Sequence, residues 1–237
     1  MADQAPLALV PAAELAARAS KPWPNEPPGY RAAREALLAE EIELRRRIAR
    51  VAAQRRALPP GGLVSDRYLF EDGEGRRVPI AGLFGPHDTL VVYAWMFGPE
   101  RERPCPMCTN LVGPLAANAA DIGQKAALAI LGRSPVARQQ AFARERGWRN
   151  LHFYQPVGDA FARDYRILAP DGSEWAALLV FTRRGEEVRL SWAGEMGLET
   201  ADPGQDPRGA PDLAPLWNIL DLTPAGREAD WYPSLDY

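Results

Sequence analysis

Apolar residues follow two different patterns along this chain, one periodic and one continuous. From Tyr30 to Ala57 the period is that of an α-helix, and glutamate and arginine fill most of the positions between. The apolar positions on one face of this segment are Leu37, Leu44, Ile48 and Val51. From Thr89 to Phe97 the chain is continuously rich in β-branched and aromatic residues, which is typical of a buried strand. The sequence therefore predicts a long amphipathic helix, packed against the protein body or a second subunit, and a central strand after it.

Shorter patterns predict the remaining elements. Residues 1–29 are rich in proline and alanine, which favours an irregular arm, and Asp72-Gly73 favours the turn of a β-hairpin. Ser134, which Pro135 follows, is a typical helix N-cap. The other predicted elements are strands over Lys125–Leu131 and Leu151–Tyr154, short helices over Phe161–Tyr165 and Leu213–Leu220, a hairpin around Arg184-Gly185, and a loop over residues 197–212.

The order of these elements indicates the fold class. Strands that alternate with helices and end in a hairpin predict an α/β fold with a mixed sheet, parallel in its first part and antiparallel at its end. We expect a single domain over residues 30–237, with its hydrophobic core over about residues 63–222, preceded by the irregular arm.

Charge and hydropathy narrow the classes of partner. The 237 residues carry a formal net charge of −3 and a pI near 5.6, so the basic excess that phosphate binding requires is missing and nucleic acid is not an expected partner. The longest apolar runs are too short to span a bilayer, and no positively charged segment leads an apolar core at the N-terminus. A cytoplasmic location is therefore expected. Thiols stay reduced there, so a cysteine pair more often serves redox chemistry or metal binding than a permanent disulfide.

Both cysteines of the chain, Cys105 and Cys108, stand in one C-x-x-C motif that follows the central strand. Pro106 lies between them and suits the first position of a helix, which is predicted to continue to about Ala120 with a kink at Pro114. The carboxyl ends of strands in open α/β sheets are where chemistry is usually found. The motif therefore lies at the expected place for an active site.

A C-x-x-C pair at a helix N-terminus meets the requirements of thiol exchange, which are a stabilised thiolate and a second thiol within reach. Cys105, at the cap, would face free backbone N–H groups and the positive end of the helix dipole, whereas Cys108, one turn inside, would be less exposed. We interpret Cys105 as the nucleophile and Cys108 as the resolving thiol. Arg101 and Arg103 precede the pair and are candidates to stabilise the thiolate.

Several short segments resemble a known family. The segments are FGPE before CPMC, GRSP after the second predicted strand, RERGW, FARDY and WNILDLTPAGR. Together they resemble a bacterial thioredoxin-like family, catalogued as domain of unknown function 899 and labelled a predicted dithiol-disulfide oxidoreductase. The resemblance runs from about Tyr30 to the C-terminus. It implies a thioredoxin-like fold with a mixed central sheet, extended at its N-terminus by the long helix and the β-hairpin, and an active-site pair at Cys105 and Cys108.

The chain departs from thioredoxins at one position. Thioredoxins usually place a cis-proline before the strand that faces the active site, where it helps to hold the backbone of the partner. Here Glu174, Trp175 and Ala176 precede that strand, and the nearest proline is Pro170. The departure concerns the handling of protein disulfides and leaves the thiol pair itself unaffected.

Three alternatives remain open. A peroxiredoxin-like thiol peroxidase would need an arginine near the thiolate, for which Arg133, Arg101 and Arg103 are candidates, but Glu102 stands where such enzymes carry threonine or serine. A zinc site would need His87 and His152 to complete the ligand set of the two cysteines. A non-catalytic interaction module would use the long helix as its dimerisation face, with cysteines of ordinary pKa.

These observations favour a thiol-disulfide oxidoreductase with no bound organic cofactor. Its substrate is an unknown disulfide or oxidised thiol, and an unknown electron donor must reduce the oxidised pair again. A homodimer is compatible with the amphipathic helix.

Overall fold

The computed structural model of the chain describes residues 9–204, 213–226 and 231–236. It divides into two compact units, Met1–Leu58 and Pro59–Tyr237. The prediction of a single domain from residue 30 onwards stays a prediction. Within the described residues, no helix is both long enough and apolar enough to cross a membrane.

In its described part, residues 9–58, the N-terminal unit consists of two helices, α1 (Ala12–Ala19) and α2 (Pro28–Arg56), which pack against each other. The long helix is confirmed, and it begins with a proline in its first turn as expected for helix starts. Helix α1 lies where an irregular arm was predicted. Its sequence AAELAARA is rich in the best helix former and carries a Glu14–Arg18 ion pair four residues apart, so local propensity prevails over the flanking prolines.

Helix α2 exposes its predicted apolar face within the N-terminal unit, and packing of that face against the body stays a prediction. The side chains that were expected to pack against the body or a second subunit are exposed: Leu37, Leu44, Ile48 and Val51. Whether a second copy of the chain covers them stays a prediction.

The second unit is built on a sheet of seven strands. The strands are β1 (Leu69–Glu71), β2 (Arg77–Pro79), β3 (Thr89–Ala94), β4 (Ala127–Leu131), β5 (His152–Pro156), β6 (Ala177–Arg184) and β7 (Glu187–Ala193). They lie in the order β2-β1-β5-β4-β3-β6-β7. Strands β3, β4 and β5 are mutually parallel, and the two hairpins at the ends run antiparallel. This is a thioredoxin-like fold with a mixed sheet, as predicted.

Helices connect the parallel strands and cover the sheet. They are α3 (Pro106–Ala117), α4 (Ala119–Ile122), α5 (Val136–Glu145), α6 (Ala160–Asp164) and α7 (Pro215–Leu220), with short 3-10 segments at Ile80–Phe84 and Leu198–Thr200. The loop predicted over residues 197–212 lies partly outside the described residues, from 205 onwards.

Strand β3 is buried on both faces because its side chains alternate between two hydrophobic cores. Leu90, Val92 and Ala94 belong to one core, which also contains the first hairpin and α6. Tyr93 belongs to the other core, which α3, α5 and α7 cover and which continues past the strand to Trp95 and Phe97. The second core also contains Cys108, so the central strand and the candidate site share one packed environment.

Several element boundaries differ from the predictions by a few residues. Strand β3 ends at Ala94 rather than Phe97, and α3 ends at Ala117, where Asn118 caps it by donating to the Pro114 carbonyl at 2.8 Å. The N-cap of α5 is Pro135 rather than Ser134. The Ser134 hydroxyl, which was expected to cap the helix, is buried without a hydrogen-bond partner among the described residues, while the Ser134 N–H donates to the Phe97 carbonyl at 2.8 Å in the loop between β4 and α5.

Candidate dithiol site

The candidate nucleophile lies where the central strand gives way to helix α3. Cys105 is the N-cap residue of α3, and Pro106 occupies the first helical position. The Cys105 N–H donates to the Met96 carbonyl at 3.0 Å, which ties the cap to the extended chain that follows β3. The Cys105 side chain is half-buried, whereas the Cys108 side chain is 3% exposed. Both cysteines are free thiols, and their spacing places them one turn apart on the same helix.

The surroundings of Cys105 favour its thiolate. The Cys108 thiol donates a hydrogen bond to the Cys105 sulfur, and the backbone N–H groups of Cys108 and Met107 donate to the same sulfur. Together with the positive charge of Arg101, and against the opposing effect of burial, these donors lower the pKa of Cys105 to about 6. A thiol with that pKa is mostly ionised at neutral pH, which is the state that attacks disulfides.

Cys108 has the opposite character. Its hydrogen bond to Cys105 and its burial raise the pKa of Cys108 well above the ordinary value. It is therefore a neutral donor while Cys105 carries the charge. Two further groups bear on its sulfur: the backbone N–H of Met96 and the hydroxyl of Tyr93, each of which favours the Cys108 thiolate. Neither was anticipated from the sequence.

A carboxylate that is largely but not fully buried pairs with two of the predicted arginines. Glu174 accepts from the Arg101 Nε at 3.0 Å, from an Arg133 guanidinium nitrogen at 3.1 Å and from the Gly98 N–H at 3.0 Å. A Cβ at position 98 would collide with this carboxylate, so a larger residue there would displace the Glu174 side chain. Arg133 also pairs with Asp159 at 3.1 Å. Glu174, which stands in the segment where a proline was expected, thus partly neutralises the arginines beside the candidate site.

Arg103 makes contacts of a different kind. Its guanidinium pairs with Glu145 at 3.1 Å and with Asp236 at 2.6 Å. These residues line a cavity of about 500 Å³ together with Arg146 and Leu235. Of the two arginines that precede the cysteine pair, Arg101 is among the main causes of the lowered pKa of Cys105.

The loop before the cysteines is held by an arginine that the sequence analysis did not single out. Arg138, on α5, donates to the carbonyls of Arg101 at 2.7 Å and Glu102 at 3.1 Å, and lies within 3.5 Å of the Pro99 carbonyl. Its guanidinium also stacks over the Phe97 ring, 5.0 Å from the centroid. Arg138 therefore fixes the backbone that carries Arg101 towards Cys105.

The two histidines lie at the other end of the sheet. His87 precedes β3 and His152 opens β5, and both line a cavity of about 390 Å³ beside the amino ends of the parallel strands. The cysteines follow the carboxyl end of β3, about 20 Å away along a six-residue strand. The four residues of the proposed zinc set are therefore not brought together. Among the described residues, no group of three or more His, Cys, Asp or Glu side chains could hold a metal ion.

The fold and the site define a thioredoxin-like protein with a C-x-x-C pair at the N-terminus of the helix that follows the central strand. The chain belongs to the family described as "Bacterial protein of unknown function (DUF899)", whose model matches residues 21–237. The family resemblance drawn from the sequence segments is thereby confirmed. None of the curated proteins matches the sequence.

Solved structures with some likeness include two peroxiredoxins. PrxQ from Xylella fastidiosa, as a cysteine-to-serine mutant, is 8% identical with a TM-score of 0.43, over 57% of this chain and 84% of that one. A mutant of peroxiredoxin Q from Xanthomonas campestris is 16% identical with a TM-score of 0.41, over 64% and 90%. A hypothetical protein from Sinorhizobium meliloti is 22% identical with a TM-score of 0.38, over 65% and 79%. Likenesses at this level say nothing about what this chain reacts with.

Proposed function

We propose that this protein is a thiol-disulfide oxidoreductase in which Cys105 is the nucleophile and Cys108 the resolving thiol. The single observation that carries the proposal is the asymmetry of the pair. One sulfur is half-buried and has its pKa lowered to about 6, while the other is buried and has its pKa raised. Two cysteines that merely filled a core would both have raised pKa values, because burial disfavours both thiolates.

The proposed reaction has two steps. The Cys105 thiolate attacks one sulfur of a substrate disulfide, forms a mixed disulfide and releases the other half of the substrate as a thiolate. Cys108 then attacks the Cys105 sulfur, the Cys105–Cys108 disulfide forms, and the second half of the substrate leaves with the proton that Cys108 gives up. The protein loses two electrons and the substrate gains them. A thiol reductant must return the pair to its reduced form.

The helix supports each step differently. Its free N–H groups stabilise the negative charge on Cys105 before the attack, because they lack partners within the helix. The spacing of three positions places Cys108 behind Cys105, out of contact with substrate and within reach of the sulfur that it must attack. No bound cofactor enters these steps, since the electrons come from the two thiols.

The proposal is tested by trapping the mixed disulfide. The reduced full-length protein is mixed with glutathione disulfide and followed by mass spectrometry. The wild type should lose two hydrogen atoms as its internal disulfide forms. Cys108→Ser should stop at a glutathione adduct on Cys105, because no thiol can resolve it. Cys105→Ser should react at least about tenfold more slowly, because the remaining thiol is buried and has a raised pKa.

A parallel reaction with hydrogen peroxide distinguishes the peroxidase alternative. An exchange catalyst should oxidise more slowly with peroxide than with glutathione disulfide at equal concentration. A rapid, saturating reaction with peroxide, together with slow reaction towards the disulfide, would replace the proposed function with peroxidase activity. Equal reaction of both cysteines with either oxidant would remove the division of roles altogether.

A further inference from the structure

Tyr93 is a buried polar side chain whose hydroxyl has a partner at the candidate site. It is the penultimate residue of β3, one residue before the strand ends, and is 1% exposed. A hydroxyl in an apolar core is costly unless it is hydrogen-bonded. The hydroxyl of Tyr93 bonds to the side chain of Cys108. A phenylalanine would fill almost the same volume without that bond.

The strand pairing of Tyr93 fixes the face of the sheet on which its ring lies. Tyr93 is paired on one side with Ile130 of β4 and on the other with Leu178 of β6, and both neighbours are buried in the same core. Its ring therefore stands on the sheet face that α3 covers. On that face the Tyr93 hydroxyl bonds to the sulfur of Cys108, the resolving thiol.

A second donor reaches the same sulfur from the chain that follows the strand. The Met96 N–H donates to the Cys108 sulfur, while the Met96 carbonyl accepts from the Cys105 N–H at 3.0 Å. One peptide segment thus contacts both cysteines. Two fixed donors, one from a side chain and one from the backbone, converge on the atom that must become negative in the second step.

We propose that Tyr93 is a further catalytic residue: its hydroxyl, together with the Met96 N–H, stabilises the Cys108 thiolate as that thiolate attacks the mixed disulfide. This inference rests on the proposed function and deepens it. Tyr93 keeps its proton throughout. The proton of Cys108 leaves with the thiol that the second step releases, and the electron pair of the Cys108 sulfur forms the new bond to Cys105.

The mixed disulfide is the state in which the two donors matter most. In the free dithiol, the hydrogen bond to Cys105 is the first cause of the raised pKa of Cys108, and burial is the second. Once Cys105 is bonded to substrate it is neutral, and the first cause is gone. Burial still opposes ionisation, whereas Tyr93 and Met96 still favour it. Fixed donors aimed at a developing charge in a dry site need no reorganisation during the reaction.

The other fully buried members of this core are aliphatic or aromatic. They come from β4, α5, β6 and α7 and include Ile130, Val136, Phe142, Leu178 and Trp217. The groups with the largest effects on the titration of Cys108 are Cys105, the Met96 N–H and Tyr93. Because the backbone donor cannot be removed by substitution, Tyr93 is the group on which the inference can be tested.

The test separates the two steps with dithiobis(nitrobenzoate), an aromatic disulfide whose released thiolate is coloured. In rapid mixing with the full-length reduced protein, the first release reports attack by Cys105 and the second reports attack by Cys108. Cys108→Ser identifies the second phase by abolishing it. Tyr93→Phe should leave the first phase within about twofold and slow the second by about tenfold or more, as expected for loss of a hydrogen bond to a charged group.

The pH profile of the second phase distinguishes stabilisation of a thiolate from a merely structural role. In Tyr93→Phe the midpoint of that profile should move to higher pH, because the Cys108 thiolate has lost a donor. Tyr68→Phe is the matched control, since Tyr68 is a buried tyrosine in the other core, where its hydroxyl bonds to Asp164. It should change neither phase.

Two outcomes would overturn the inference, and they differ. A second phase of unchanged rate and unchanged pH midpoint in Tyr93→Phe would remove the role of Tyr93 and leave the proposed function standing. A wild type that shows no second phase, and so behaves like Cys108→Ser, would remove the proposed function and the inference with it.

Discussion

At the scale of single residues, the account depends on how the two sulfurs divide one negative charge. Cys105 is ionised because Cys108 donates to it, and Cys108 stays protonated for the same reason. The difference in pKa between the two thiols is therefore a property of the pair. Substituting either cysteine changes the titration of the other, and this gives a direct way to examine the hydrogen bond between them.

The first prediction concerns substitutions of Cys108. Cys108→Ala removes the largest cause of the lowered pKa of Cys105, so that pKa should rise from about 6 towards its ordinary value. Cys108→Ser keeps a hydroxyl donor and should retain most of the lowering. The rate of alkylation by iodoacetamide, measured against pH, gives the midpoint in each protein. Equal midpoints in wild type and Cys108→Ala would show that the thiol of Cys108 is not the donor.

The second prediction concerns Glu174, which pairs with Arg101 and is itself largely buried. Glu174→Gln keeps the shape and removes the negative charge, so the positive field of Arg101 at Cys105 is less compensated. The pKa of Cys105 should therefore fall below about 6. Glu100→Gln, in the same loop and exposed, is the control and should leave the midpoint unchanged. A rise in the Cys105 midpoint in Glu174→Gln would contradict this description of the site.

At the scale of elements, helix α5 supports the site although it carries none of the reacting groups. Its Gln139 is fully buried and donates to the carbonyls of Gly132, Ser134 and Tyr154, while its side-chain oxygen accepts from the Trp95 indole at 3.3 Å. This network ties the ends of the parallel strands together. Arg138, one residue earlier on the same helix, donates to the loop before the cysteines, so α5 contacts both the strand ends and that loop.

The third prediction tests that support. Arg138→Ala removes the charged donor to the carbonyls of Arg101 and Glu102, and should lower the free energy of unfolding by about 1–2 kcal/mol. Arg144→Ala on the same helix replaces an exposed arginine and should change it by less than about 0.5 kcal/mol. Urea denaturation of the reduced proteins provides the values. Equal stability of the two variants would mean that Arg138 does not hold the loop.

Elements with strong patterns were predictable, and those that depend on distant partners were not. The long helix, the central strand and both hairpins follow from periodicity and turn residues that lie within each segment. Helix α1 was missed because proline-rich flanks obscured its alanine-rich sequence. The prediction of Ser134 as N-cap was wrong because its hydroxyl is buried and makes no hydrogen bond to the helix end, while its N–H bonds to the distant Phe97 carbonyl, and no local pattern carries that information. The pairing of β1 with β5 is likewise a tertiary contact.

The same reasoning explains which site residues were found. The cysteine pair has a local motif, so its position at a helix start was predictable. Tyr93 lies in a continuous apolar run, where nothing distinguishes a catalytic hydroxyl from a core aromatic until the face that it shares with Cys108 is known. Glu174 and Arg138 reach the site from other elements, and their partners are main-chain groups or arginines that the sequence order does not bring near them.

At the scale of the whole molecule, the site lies within the unit of residues 59–237, and its redox state is coupled to the stability of that unit. The reduced form contains a stabilised thiolate at Cys105, and the oxidised form does not. Because the pKa of Cys105 is lowered in the folded state, its contribution to stability is present above the unfolded pKa of about 8.5 and is lost as pH falls through about 6.

The fourth prediction follows from this linkage. The melting temperature of the reduced protein, relative to that of the oxidised protein, should rise between pH 5 and pH 8, the window in which Cys108 stays protonated in both folded and unfolded states. Calorimetry of the two forms over this range measures the difference, and the oxidised form serves as the baseline for all other titrating groups. A difference that stays constant across the window would mean that folding does not lower the pKa of Cys105.

The most direct test of the central claim, that Cys105 and Cys108 form a working redox couple, is a titration of the wild-type pair in glutathione redox buffers. The fraction of internal disulfide is read from the mass change after alkylation of free thiols. We expect one reversible two-electron transition, displaced towards a more oxidising potential because the Cys105 thiolate stabilises the reduced form. Thiols that remain free across the whole range of buffers, or that oxidise irreversibly, would contradict the account and leave a thioredoxin-like protein without dithiol chemistry.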